Sequence, residues 1–218
     1  MNQNNEEKLR LEGYYRRDDY TIKRYGNVAM RNYSKLRIKK INNIIKTHFG
    51  ANSTISLIDI GCGTGVVLKQ LRALNETYNL TGLDFSPDML ENTVINSNEN
   101  IELLQGSAFE VPQKNNSFDV VITTRFIHQY TDDLKIQLLE EMQRLVKDDG
   151  IIIVEFYSYF SGLIRYIVES IIMPSKFESD ELKKDFFKHY IGKNQLDSLS
   201  NMKYEIEPVV LPWHSKFT

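Results

Sequence analysis

Residues 57–65 read LIDIGCGTG. A short apolar run ends in three glycines at alternate positions, Gly61, Gly63 and Gly65. VVLKQLRALNE (66–76) follows, with Val67, Leu68, Leu71 and Leu74 spaced along one helical face. A buried strand, a turn of bare backbone and an amphipathic helix in that order restrict the fold strongly. A turn without Cβ atoms also lets a ligand approach the main chain. The pattern is not the dinucleotide fingerprint G-x-G-x-x-G, and no Lys follows Gly65 as a phosphate loop requires. The turn therefore points to a nucleoside-like ligand with little or no phosphate.

The alternation continues downstream. NLTGLD (79–84), IELLQ (101–105), FDVVITT (118–124) and IIIVEFY (151–157) read as further strands. Between them, Ser86-Pro87-Asp88 opens a helix, because Ser caps, Pro suits the first turn and Asp favours the positive end. DDLKIQLLEEMQRLVK (132–147) is an amphipathic helix with Leu134, Leu138, Leu139, Met142, Leu145 and Val146 on one side, and DDG (148–150) stops it. Apolar strands separated by helices imply an α/β fold, a doubly wound and mostly parallel sheet covered on both faces. In such sheets ligands lie beyond the carboxyl ends of the strands. That edge receives the glycine turn, Asp84, Ser107 and the pair Thr123–Thr124. Asp84, 19 residues after Gly65, sits where an acid accepts the hydroxyls of a ribose.

The flanks differ from this middle. Residues 1–50 hold 12 Lys+Arg against 5 Asp+Glu, whereas residues 51–157 hold 7 against 16. The basic front end either attracts an anionic substrate or docks on the acidic middle. Within it, residues 31–49 form a helix with Leu36, Ile41, Ile44, Ile45 and His48/Phe49 near one stripe, preceded by Tyr14, Tyr15, Tyr20 and Tyr25. Beyond the sheet, 159–173 and 178–191 read as helices broken at Pro174, and KYEIEPVVLP (203–212) as a late edge strand. The expected organisation is an N-terminal helical segment (1–50), a cofactor-binding core (51–157) and a helical cap with final edge strand (158–218).

No run of about 18 apolar residues is present, so no membrane span is expected. The polar start MNQNNEEKLR has no apolar signal region, and the single cysteine, Cys62, fits a reducing, cytoplasmic setting. The four histidines are scattered, with no metal-ligand spacing, and no metal is expected.

Four stretches, LIDIGCGTG (57–65), LDFSPDML (83–90), GSAFEVPQKNNSFDVVITTRFIHQY (106–130) and LVKDDGIIIVEF (145–156), stand in an order and spacing that resembles the class I S-adenosylmethionine-dependent methyltransferases. The subtype resembles the small-molecule enzymes typified by quinone biosynthesis. The resemblance implies that Gly61, Gly63 and Gly65 pass under the methionine part of S-adenosyl-L-methionine. Asp59 would anchor that loop and reach the amino group, and Asp84 would hold the ribose. Phe85 and Met89 would flank the adenine, Ser107 and Ala108 would lie beside its edge, and Thr123 would close the floor near the sulfonium. Ser107 departs from the acid often found there.

His128 in RFIHQY is a candidate general base, the alternative being a packing role. Arg125 is either a substrate anchor or the partner of a nearby acid. The early tyrosines form either a lid over the cofactor or the packing of a surface helix. A second aromatic cluster (Tyr157, Tyr159, Phe160, Tyr166, Phe186, Phe187, Tyr190) is either a wall for a flat acceptor or a dimer face, so the chain is a monomer or a homodimer. Cys62 reads as packing.

The function implied is methyl transfer to an O or N of a small-molecule acceptor. The alternative is an RNA (tRNA) or protein methyltransferase using the basic front segment. TTRF stands where DNA-modifying enzymes carry an Asn-Pro-Pro-Tyr-type tetrad, which speaks against a nucleic-acid substrate. A non-catalytic binding protein is a third reading, disfavoured by the intact glycines and Asp84.

Overall fold

The computed structural model describes residues 28–158 and 190–191. The early tyrosines, the helix 159–173 and the edge strand 203–212 lie outside the described residues. Helix α1 (Val28–Phe49) leads into strand β1 (Ser56–Ile60), helix α2 (Val66–Leu74), β2 (Asn79–Asp84), the short α3 (Pro87–Glu91), β3 (Ile101–Gln105) and β4 (Phe118–Thr124). A 3-10 turn (Ile127–Gln129), helix α4 (Asp132–Leu145) and β5 (Val146–Glu155) complete the main layer. The five strands form one parallel sheet in the order β3-β2-β1-β4-β5. The order reverses beside β1, so the crevice for a ligand falls at the carboxyl ends of β1 and its neighbours.

Alternation along β1 sends its side chains into two cores. Ile58 and Ile60 join Leu83, Val121, Leu138, Met142 and Leu145 on the α4 face. Leu57 joins Ile38, Ile41, Ile45, Leu68, Leu71 and Val120 on the face covered by α1 and α2. The stripe expected on α1 is met in part. Ile41 and Ile45 are buried as expected, whereas Leu36 is exposed, and Tyr33, Ser34, Arg37, Ile38 and Asn42 complete the buried face. Polar members of that stripe find partners: Ser34 bonds Gln70, and the Tyr78 hydroxyl donates to Asn42. Periodicity of apolar residues alone therefore found Ile41 and Ile45 but not the polar part of the buried face.

The expected strands β1 to β4 match to the residue, and Ser86 does cap α3, accepting the N–H of Met89. Helix boundaries shift by two or three residues, α1 starting at Val28 and α2 ending at Leu74, and β5 differs most. Helix α4 ends at Leu145, and Val146 already pairs with Phe118 before Ile151 pairs with Val120. The Lys147–Gly150 stretch is thus a bulge within β5 rather than a stop between elements. Asp119 holds it: its carboxylate accepts Lys147 Nζ at 2.8 Å, Ser56 N–H at 2.7 Å and Ser56 Oγ at 2.7 Å. At the other end β5 stops at Glu155, and Tyr157–Ser158 forms a separate two-stranded parallel pair with Tyr190–Ile191. Those last residues of the expected helix 178–191 are therefore extended, satisfying their backbone across a strand pair.

Candidate functional site

The glycine turn is bonded directly to the end of β2. Gly61 N–H and Cys62 N–H both donate to Leu83 O, at 2.8 and 3.0 Å. Gly63 N–H donates to Asp84 Oδ2 at 2.7 Å, and Ser86 N–H to Oδ1 at 3.0 Å. Two features 21 residues apart in sequence thereby become one surface. The Gly63 and Ser86 N–H groups thus fall on different oxygens of Asp84, and a carboxylate with about four lone-pair sites keeps room for a further donor.

The three glycines all have positive φ, yet they answer to different neighbours. A Cβ on Gly61 would lie 2.4 Å from the Phe126 ring, and one on Gly65 would lie 2.4 Å from Ile95 Cδ1. Those two make room for the chain's own side chains. Around Gly63 a Cβ would meet nothing within 4 Å. The open approach to the backbone is at Gly63.

Asp59 lies beneath this turn, fully buried. Among the described residues, neither carboxylate oxygen accepts a hydrogen bond. Burial pushes its carboxyl well above the usual range; Arg37 opposes that rise, while Asp84 and Glu155 add to it. Burial likewise raises Asp84, against the lowering effect of backbone N–H groups from Ser86, Gly63 and Phe85. The Cys62 thiol is buried and pushed well up, first by burial and then by Asp59 and Asp84, which suits packing and not nucleophilic chemistry.

The other sequence candidates distribute around this centre. Thr123 is buried, and its hydroxyl donates to Ile60 O at 2.9 Å, tying β4 to the end of β1. Met89 and Ala108 are buried and Phe85 is half-buried. Gly106 N–H donates to Asp84 O at 3.0 Å, bringing the next residue, Ser107, to the same edge. Ser107 Oγ accepts Phe109 N–H at 3.2 Å in a local turn. Arg125 and His128 are half-buried in the connection after β4.

Four contributors were not foreseen. Phe126 plugs the space under Gly61 and meets Tyr130 edge-on, and Tyr130 meets Phe109 in the same way. This aromatic cluster pins the connection after β4 onto the glycine turn. Arg125 there has φ 54°, a left-handed conformation uncommon outside glycine. The fourth is Arg37, buried on α1 and paired with Glu155 at 3.0 Å, with the Tyr33 hydroxyl 3.4 Å from the same carboxylate. Phe126 lies inside the stretch 106–130 but was given no role there, and a buried Arg is invisible to hydropathy.

The parallel sheet, the open turn and the acid at the end of β2 define a nucleoside-binding α/β protein. Residues 51–203 match the methyltransferase domain family, and the chain belongs to that family. It is an S-adenosylmethionine-dependent methyltransferase. The demethylmenaquinone methyltransferase of Staphylococcus aureus (strain MRSA252) is 28% identical over 195 residues, covering 77% of this chain and 79% of that one. The fold is shared with the plantazolicin methyltransferase BpumL, solved with a pentazolic desmethylPZN analog and SAH, at TM-score 0.61 and 18% identity over 88% of this chain and 71% of that one. It is shared too with a Methanococcus maripaludis protein described as an S-adenosyl-L-methionine-dependent methyltransferase, at TM-score 0.55 and 22% identity over 87% and 84% of the two chains.

The residues present fit the cofactor. A buried carboxylate without a donor suits an ammonium group, and backbone that faces open space beside a second carboxylate suits an adenosyl unit.

Proposed function

We propose that the chain moves a methyl group from S-adenosylmethionine to an O or N of a small-molecule acceptor, with the cofactor across the carboxyl ends of β1 and β2. The observation that carries this reading is the trio of Asp59, Gly63 and Asp84. Asp59 would accept the cofactor's amino group, and Asp84 would accept the ribose hydroxyls on its remaining lone pairs. Gly63 would pass beneath the methionine part, on backbone shaped by Gly61 and Gly65. Phe85 and Met89 would bracket the adenine, with Ser107 and Ala108 at its edge and Thr123 in the floor.

S-adenosylmethionine, when bound, supplies an electrophilic methyl carbon on a sulfonium sulfur. The protein's task is then to orient, to bring the acceptor in line and to exclude water, effects worth roughly 7–11 kcal/mol where alignment is good. The aromatic cluster of Phe109, Phe126 and Tyr130 keeps the wall after β4 rigid. On that connection Arg125 would anchor the acceptor and His128 would accept a proton from a hydroxyl or ammonium acceptor. The 28% identity to a demethylmenaquinone methyltransferase supports a small, apolar or flat acceptor. A cytoplasmic setting accords with the single cysteine, and no helix among the described residues is long and apolar enough to cross a membrane.

The reading is tested by incubating the protein with S-adenosylmethionine labelled in its methyl group and a metabolite extract. Label should pass to a small organic molecule. Label recovered in RNA or protein instead would overturn the acceptor class.

A further inference from the structure

Residues 92–100, NTVINSNEN, join α3 to β3 and carry no motif, yet they return to the glycine turn. Thr64 O accepts Val94 N–H at 2.9 Å and the Thr93 hydroxyl at 3.2 Å. The same hydroxyl oxygen accepts Ile95 N–H at 3.2 Å. Ile95 Cδ1 lies 2.4 Å from where a Cβ on Gly65 would stand. From α2, Lys69 Nζ donates to Val94 O at 2.5 Å and lies 3.7 Å from Glu99 Oε1. Glu99 Oε2 in turn accepts Asn96 N–H at 2.7 Å. A carbonyl oxygen has two lone pairs, and Thr64 O meets two donors from one short segment. The peptide between Thr64 and Gly65 is therefore fixed from outside the turn.

We propose that Thr93–Ile95 is a positioning strap for the cofactor turn, with Thr93 Oγ1 and Val94 N–H presetting the Gly63 to Gly65 backbone before the ligand arrives. The inference rests on the cofactor reading above and adds a segment outside the motifs to the binding machinery. A turn built on three glycines has wide backbone freedom unless it is held. A loop that must order on binding gives up affinity to that ordering, and a loop held beforehand does not. Phe126 packs at the Gly61 end of the turn and the strap at the Gly65 end, while Gly63 between them faces open space. In this role Thr93 acts through the turn and not on the methyl group.

The test combines calorimetric titration with S-adenosylhomocysteine, thermal melts and amide hydrogen exchange, none of which needs turnover. Thr93→Val keeps the branched shape and removes the hydroxyl. It should bind about 10-fold more weakly, the loss of one hydrogen bond that orders the turn. In the free variant the Gly63 and Gly65 amides, bonded to Asp84 and to Cys62 O, should exchange faster, while the central strands keep their protection. Saturating ligand should restore that protection. Thr93→Ser keeps the hydroxyl and should recover most of the affinity. If Thr93→Val does not fold, Lys69→Met frees Val94 O and should weaken binding about 3-fold with the same local rise in exchange. A lower melting temperature with wild-type affinity, unchanged exchange at the turn, or a Thr93→Ser protein as weak as Thr93→Val would overturn the proposal and leave the strap to packing. Failure of the wild type to bind would instead overturn the cofactor reading itself.

Discussion

At the scale of single residues, Gly61 and Gly63 share a motif but not a role. Gly61→Ala drives a methyl group into the Phe126 ring in a left-handed backbone, and should destabilise the protein by about 2–4 kcal/mol. Gly63→Ala meets open space, so its stability cost should be about 1–2 kcal/mol from backbone strain alone. Its larger effect should fall on S-adenosylhomocysteine affinity. Denaturant unfolding and ligand titration of the two variants separate the effects; equal stability losses would contradict the distinction. Asp59 carries a linked prediction. Its folded-state carboxyl is raised by burial, so the stability it contributes is full below the unfolded value near ~4 and lost as pH rises through the folded value. Asp59→Asn should therefore raise the melting temperature of the ligand-free protein, more at neutral pH than at about pH 5, while removing the shift that S-adenosylhomocysteine gives. A melting temperature lowered by the substitution would show that the carboxylate is satisfied.

At the scale of elements, the opposite edge of the sheet behaves in the reverse sense. Burial pushes the Asp119 carboxyl up, but hydrogen bonds from Lys147 and Ser56 outweigh it and hold the group below its ordinary value. Its stabilising effect is present above the unfolded value and is lost as pH falls through the folded one. Asp119→Asn should loosen the β5 bulge and cost roughly 1–3 kcal/mol near neutral pH, with the difference from wild type shrinking in acid. Urea melts at several pH values check this, and a pH-independent difference would deny the ionic tie.

The same region shows what sequence patterning reads well. Strands β1, β2 and β4 are interior strands buried along most of their length, so each is a largely apolar run bounded by turn residues and its limits were legible; β3, at the sheet edge, is only partly buried and was marked by the run IELLQ. The start of β5 was not, because Lys-Asp-Asp-Gly looks like a connection while Asp119 folds it into the strand. The buried face of α1 was only partly read for a related reason: Ile41 and Ile45 were found, but Ser34, Arg37 and Asn42 are buried through partners that hydropathy does not see.

For the whole molecule, the charge asymmetry finds a partial structural answer. Arg37 pairs with Glu155 at 3.0 Å, so one cation of the basic front end docks on the acidic layer. Gly63 and Asp84 could be marked as candidates in the sequence by a bare turn and a strand-end acid, and the fold joins them through a 2.7 Å hydrogen bond; Asp59 was marked only by the family resemblance. Phe126 and Arg37 were hidden because their roles exist only once β4, β5 and α1 are assembled. If His128 is the base, His128→Ala should lower the turnover number by roughly 100-fold or more while S-adenosylhomocysteine binds as before; an unchanged rate leaves His128 to packing.

The central claim is that one adenosyl ligand spans Asp59, Gly63 and Asp84. The most direct measurement is a crystal structure of the protein grown with S-adenosylhomocysteine. The account predicts the amino group within hydrogen-bond distance of Asp59 and both ribose hydroxyls on Asp84, over the backbone of Gly63. A ligand seated elsewhere, with the Asp59 carboxylate still without a donor, would contradict it.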